Sequence, residues 1–151
     1  MPVLALAGGL AIAIFLGLQL ASDGSHGSGQ GPVVTLKPGK YRTILSALIA
    51  EGDKKLSQNS TIEVCFTAEK AKAYISLADL NVPKGWKLES RRDTDNGAEA
   101  HLSSPGNAMT VTTSTTGDNY TLVYHTETQD GAMVAVSDIT YSGSRIGDCS
   151  T

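Results

Sequence analysis

The chain has 151 residues, with 12 basic and 15 acidic side chains and a formal net charge of −3. That length allows one modest domain. The charge excludes a broadly basic nucleic-acid binder, and only Trp86 and Tyr74 lie among the basic residues as candidate stacking aromatics.

Val3 to Ala21 is an apolar run broken only by Gln19, and no charge precedes Asp23. As a helix it would measure about 28 Å, enough to span a bilayer. As a cleaved signal peptide it lacks a basic n-region, and Gln19-Leu20-Ala21 is a poor cleavage junction. An uncleaved anchor is the favoured reading, and either reading exports the domain C-terminal to it. Gly9, Ala13 and Gly17 share one helix face, a spacing that packs helices in lipid but that any Ala/Gly-rich stretch also gives. Ser22 to Pro32 is Gly/Ser-rich and reads as a flexible linker. The organisation expected is therefore 1–21 as export segment or membrane anchor, 22–32 as linker, and 33–151 as one folded domain.

Lys40 to Ala50 is apolar on both faces and fits a buried strand or a helix; Pro38-Gly39 before it and Gly52-Asp53 after it favour a strand. Ile62, Val64 and Phe66 form a short strand that puts Cys65 on its other face. Thr67 can cap a helix over Ala68–Leu77, with Glu69 in its first turn and Ala71, Tyr74 and Ile75 as its apolar stripe. Strands come next near Trp86–Arg92 and Ala98–Ser103, then over Met109–Thr115, Tyr120–Glu127 and Met133–Tyr141, where apolar and polar residues alternate. Turn signals separate them at Asp95-Asn96-Gly97, Pro105-Gly106-Asn107, Gly117-Asp118-Asn119 and Gln129-Asp130-Gly131. The fold class expected is mainly β: a single antiparallel β-meander, a curled sheet or partial barrel of about seven strands, with one short helix packed on it and an N-terminal hydrophobic helix.

The two cysteines, Cys65 and Cys149, lie C-terminal to an export-type segment and should meet an oxidising compartment and pair. Such a bridge would make the early and last strands neighbours. Charge is uneven along the domain. Lys37 to Arg92 carries eleven basic residues against six acidic, and Asp93 to Thr151 carries one against eight. Opposite strands pairing across a sheet account for this without a docking surface.

Candidate chemistry is sparse. His101 and His125 fall on strands separated by a third, about 10 Å apart, too far to share an ion. Asp93-Thr-Asp-Asn-Gly97 resembles the start of a calcium loop, but its glycine comes one position early and Ser104 stands where the bidentate Glu belongs. No Gly-x-Ser-x-Gly occurs, and a bonded cysteine is no nucleophile. Asn59-Ser-Thr61 and Asn119-Tyr-Thr121 match a glycosylation acceptor, a pattern frequent by chance. Met109, Val111, Tyr120, Leu122, Tyr124 and Met133 would share the inner face of a curled sheet. They either line a pocket for a small apolar ligand or fill the core.

Three landmarks occur in order: Lys37-Pro38-Gly39-Lys40-Tyr41; Val64-Cys65-Phe66-Thr67 running into Ala68-Glu69-Lys70; and Tyr141-Ser-Gly-Ser-Arg-Ile-Gly-Asp-Cys149. Their order resembles a family of small exported bacterial proteins, the domain-of-unknown-function family 3617, over roughly Val33 to Cys149. The last motif is the most specific. Many members carry a second cysteine pair in the central hairpin, which this chain lacks near Leu88 and Leu102. The resemblance thus implies a Cys65–Cys149 bridge and an envelope location, and it brings no activity. The function expected is a non-catalytic binding or interaction module of the periplasm, with an envelope protein as partner. The alternative is a carrier of a small hydrophobic ligand. No metal or other cofactor is expected, and no nucleic acid; the membrane is met through 1–21 if that segment is retained.

Overall fold

The computed structural model describes residues 35–150. The expected anchor at 1–21 and linker at 22–32 lie outside them. Among the described residues no helix is long and apolar enough to cross a membrane.

The elements in chain order are β1 (Gly39–Glu51), β2 (Lys54–Phe66), α1 (Ala68–Ser76), β3 (Lys87–Thr94), β4 (Gly97–Ser104), β5 (Asn107–Thr116), β6 (Asn119–Asp130) and β7 (Met133–Gly147). The strands make one antiparallel sheet in the order β2-β1-β7-β6-β5-β4-β3. Strands β3 to β7 are the expected meander. The β1–β2 hairpin then adds at the far side, with β1 against β7. A single meander is therefore corrected to a meander plus a returning hairpin. Of the two forms expected, a curled sheet or a partial barrel, the structure has the open one: the sheet is not closed, and β2 and β3 are its two edges.

The sheet is nonetheless strongly curled. Phe66 on β2 and Tyr120 on β6 sit three strands apart, which a flat sheet would place about 14 Å from each other. Their ring centroids are 5.6 Å apart. What fills the concave side explains the curl. All five tyrosines, Phe66 and Trp86 belong to one core or pack against it, and α1 lies over them.

The helix begins as the sequence foretells. Thr67 has extended backbone angles, and its hydroxyl accepts the Lys70 N–H at 3.3 Å. Ala71 and Ile75 are fully buried, one turn apart. The helix ends at Leu77, whose φ of +54° lies in the left-handed region. No glycine marks this stop, and a non-glycine residue there costs about 1 kcal/mol. Burial of the Leu77 side chain offsets that cost. The last carbonyls are held by the sheet instead of by a glycine cap: the Thr113 hydroxyl donates to Ile75 O, and the Arg91 guanidinium donates to Ser76 O.

The largest local difference from expectation is β2. Its strand reaches back from Ile62 to Lys54 and pairs with β1 over its whole length, without a register shift. Residues Lys54 to Ser60 are exposed and polar on both faces apart from Leu56, so no alternation announces them. At the β3–β4 turn the loop residues are Asp95 and Asn96, and Gly97 is the first residue of β4. Gly97 is needed there for space, because a Cβ would collide with the Thr113 carbonyl.

Gly147 lies opposite Lys40, and Lys40 lies opposite Cys65. The chain leaving β7 thus crosses the end of β1 to reach β2. Cys149 and Cys65 are joined there, with Cα atoms 5.7 Å apart and a separation of 84 positions in sequence.

Candidate binding surface

Six residues were expected on the inner face: Met109, Val111, Tyr120, Leu122, Tyr124 and Met133. All six share the concave side by strand parity, but the structure divides them by depth. Val111, Tyr120 and Leu122 are buried. Met109 and Tyr124 are partly buried at the margin of the core, and Met133 is 56% exposed. Alternation gives the face of a side chain and says nothing of what lies above it. Here α1 and the segment carrying Leu80, Val82 and Trp86 cover the first group and leave Met133 open.

The covered end is an aromatic cluster. Tyr41, Phe66, Tyr74 and Tyr120 meet edge to face or tilted, with centroids 4.9–5.6 Å apart. Tyr120 reaches across Gly143 on β7, and its hydroxyl hydrogen-bonds the Thr43 hydroxyl on β1 at 2.7 Å. Only a glycine in the middle strand lets the ring lie flat there. Burial, followed by the nearby Tyr120, pushes the Tyr74 phenol well above its ordinary value. Burial and then Tyr141 push Tyr124 to about 12. These phenols are structural and neutral through the physiological range.

The convex face holds two histidines and the carboxylates they contact. His101, Thr110, His125 and Asp138 lie in one row across β4, β5, β6 and β7. His125 Nδ1 is 2.5 Å from Asp138 and its Nε2 is 3.3 Å from Glu127. The Asp138 contact and then the Glu127 contact raise its pKa above 6.5. His101 touches Glu99 at 3.0 Å and the Thr110 hydroxyl at 3.3 Å. A hydroxyl, an imidazole and a carboxylate in contact have the composition of a nucleophilic triad. They sit on an open face, however, where β5 is paired on both sides and its backbone N–H groups belong to the ladder. No N–H there is free to hold an oxyanion. Glu99 is also engaged by Arg92 at 2.9 Å. Among the described residues no three His, Cys, Asp or Glu side chains are grouped to hold a metal.

The two sheet edges differ, and sequence reasoning missed this. Edge β3 carries Lys87, Glu89, Arg91, Arg92 and Asp93, has a bulge at Glu89, and is tied to the end of α1 through Arg91. Charge and bulging are how edges are kept from pairing. Edge β2 has no charge from Leu56 to Ile62, no proline and no bulge. Leu56 is 58% exposed on its concave face. Met133 and Val134 are exposed at the same end of the sheet, beside the β6–β7 turn. The signal in the sequence was the uninterrupted stretch without glycine or proline between Asp53 and Thr67. No family model, curated protein or solved structure matches the chain.

Proposed function

We propose that this chain is an exported, non-catalytic interaction module of the cell envelope, and that its binding surface is the open end of the sheet around β2. One observation carries the reading: the unguarded β2 edge, with Leu56 exposed on its concave face, lies toward the end of the sheet where Met133 is exposed on that same face and which α1 does not cover. A backbone row of free donors and acceptors beside apolar side chains suits an added strand. The Cys65–Cys149 bridge supports an oxidising location, as does an order of landmarks that resembles that of an exported family. The carrier reading places its ligand on the concave side. The aromatic cluster and the buried Val111, Tyr120 and Leu122 occupy that side beneath α1, which favours the interaction module.

Native mass spectrometry of the full chain, released gently from membranes or periplasm, tests the proposal. A complex with another polypeptide is the expected result. A monomer retaining a small apolar molecule of a few hundred daltons would replace the module with the carrier.

A further inference from the structure

Hydrogen bonding along β2 alternates in a way the hairpin turn fixes. Gly52 and Asp53 form a two-residue turn between the paired Glu51 and Lys54, with Gly52 at φ +56°. Such a turn closes on a hydrogen-bonded pair, so the even-numbered residues of β2 bond to β1. The odd-numbered ones, Lys55, Ser57, Asn59, Thr61 and Glu63, direct their N–H and C=O outward. No register shift interrupts the alternation. The outward groups run from the turn to the disulfide at Cys65, and nearly every residue along this stretch is exposed.

The stretch Lys55-Leu-Ser-Gln-Asn-Ser-Thr-Ile-Glu63 reads as a chemical palindrome about Asn59. Laid antiparallel on a second copy of itself, it sets Lys55 opposite Glu63 and Leu56 opposite Ile62. Ser57 then faces Thr61, Gln58 faces Ser60, and Asn59 faces its own symmetry mate. Every charged or apolar residue meets its complement twice, once on each side of the two-fold axis. Sliding by two or four residues in either direction keeps the hydrogen-bond parity but loses the charge match: Lys55 then meets Asn59, Thr61, Cys65 or Thr67. The matched register also places odd residues against odd, so the outward groups of both copies form about ten backbone hydrogen bonds.

We infer that β2 is a self-recognition edge, and that two copies of this chain join there into one fourteen-stranded sheet, centred on Asn59 with Lys55 paired to Glu63 of the second copy. Glu63 already lies against Lys40 and Arg42 on the neighbouring strand, so Lys55 completes an existing charged cluster. The concave faces of both copies end on the same side, and the exposed Leu56 of each is covered by Ile62 of the other. A C2 contact of this kind is isologous and closes on itself, consuming the free edge that would otherwise invite open-ended association. The inference rests on the reading of this end of the sheet as an interaction surface and names its partner.

Sedimentation equilibrium and cysteine cross-linking of the full chain test it together. The wild type should be a dimer of twice the monomer mass. Asn59→Cys should form an inter-chain disulfide under mild oxidation, because residues facing each other in a hydrogen-bonded pair have Cα atoms about 5.5 Å apart. Ser57→Cys alone should not cross-link, whereas a mixture of Ser57→Cys and Thr61→Cys chains should. Lys55→Glu should weaken the dimer about tenfold or more, since two attractive pairs become repulsive. The swap Lys55→Glu with Glu63→Lys should restore it. A monomer throughout the dilution series overturns the inference. So does a dimer that cross-links through Ser57→Cys but not Asn59→Cys, or one that is indifferent to the charge swap. A complex with a different polypeptide on a chain that never self-associates sinks the homodimer and leaves the interaction module standing. A ligand-loaded monomer sinks both.

Discussion

Replacing Gly143 by alanine tests the packing logic of the concave face. Gly143 lies between Thr43 on β1 and Tyr120 on β6 in one cross-strand row. A methyl group at Gly143 would strike Tyr120 Cε1 and lie 2.6 Å from Cζ and 2.8 Å from Cδ1, where carbon pairs settle near 3.5–4.0 Å. The ring must shift by about an ångström into a site bounded by Tyr41, Phe66 and Tyr74. Overpacking of this kind costs about 1–3 kcal/mol. The shift also pulls the Tyr120 hydroxyl off Thr43, which is fully buried, adding about 1–2 kcal/mol. Loss of glycine's unfolded-state entropy returns about 0.4–1 kcal/mol. The net expectation is a destabilisation of about 2–4 kcal/mol, read as a lower urea midpoint at unchanged m-value. A double-mutant cycle isolates the cause. With Tyr120→Leu in place the ring is gone, and Gly143→Ala should become nearly neutral, giving a coupling of about 2 kcal/mol. Equal costs of Gly143→Ala in both backgrounds would refute the argument that the ring lies over the glycine.

Three more outcomes are expected from the same contacts. Thr113→Val keeps the shape of a buried side chain but removes the hydroxyl that donates to Ile75 O and accepts the Ala98 N–H at 3.0 Å; it should cost about 2 kcal/mol in urea unfolding and increase amide exchange at the end of α1. Cys65→Ser with Cys149→Ser frees a loop of 84 residues and should lower stability by up to about 4–5 kcal/mol, whereas thiol labelling of the unreduced wild type should find no reactive cysteine. His125 has a pKa raised above 6.5 by Asp138 and then Glu127. Its contribution is therefore complete below pH 6.5 and lost as pH rises through the raised value. The midpoint difference between wild type and His125→Gln should be larger at pH 5.5 than at pH 8, and a difference independent of pH would contradict the pairing.

Much of the fold is legible in the sequence, for reasons particular residues make plain. Strands β4 to β7 announce themselves because one face is buried and the other wet, which writes a period of two into Tyr120–Glu127 and its neighbours. Thr67 and Glu69 mark the start of α1 because a helix N-terminus needs a side-chain acceptor and favours negative charge. Its end was read to within a residue, at Leu77, although the glycine's conformation that Leu77 takes there comes from tertiary burial. The first half of β2 was not legible. An edge strand exposed on both faces buries nothing that alternates, and its extended form comes from backbone pairing with β1.

The candidate surface divides the same way. Sequence placed Met109, Val111, Tyr120, Leu122, Tyr124 and Met133 on one face, since side chains alternate with a strict period. It could not say that α1 and Trp86 would cover some of them and leave Met133 in water, because depth depends on which distant segment packs above.

Sequence by itself determined the class of protein: a mostly antiparallel sheet, one capped helix, and two cysteines held for each other. The sheet and the helix arise from local physics, in turns, alternation and caps within a few residues, and the cysteines pair because the chain has only two. Only the tertiary structure decided that β1 lies against β7, that the sheet stays open, and that β3 is guarded while β2 is not. Pairing partners and edges are relations between residues far apart in the chain. The free energy that selects them comes from the shared aromatic core around Tyr120, which no single segment contains.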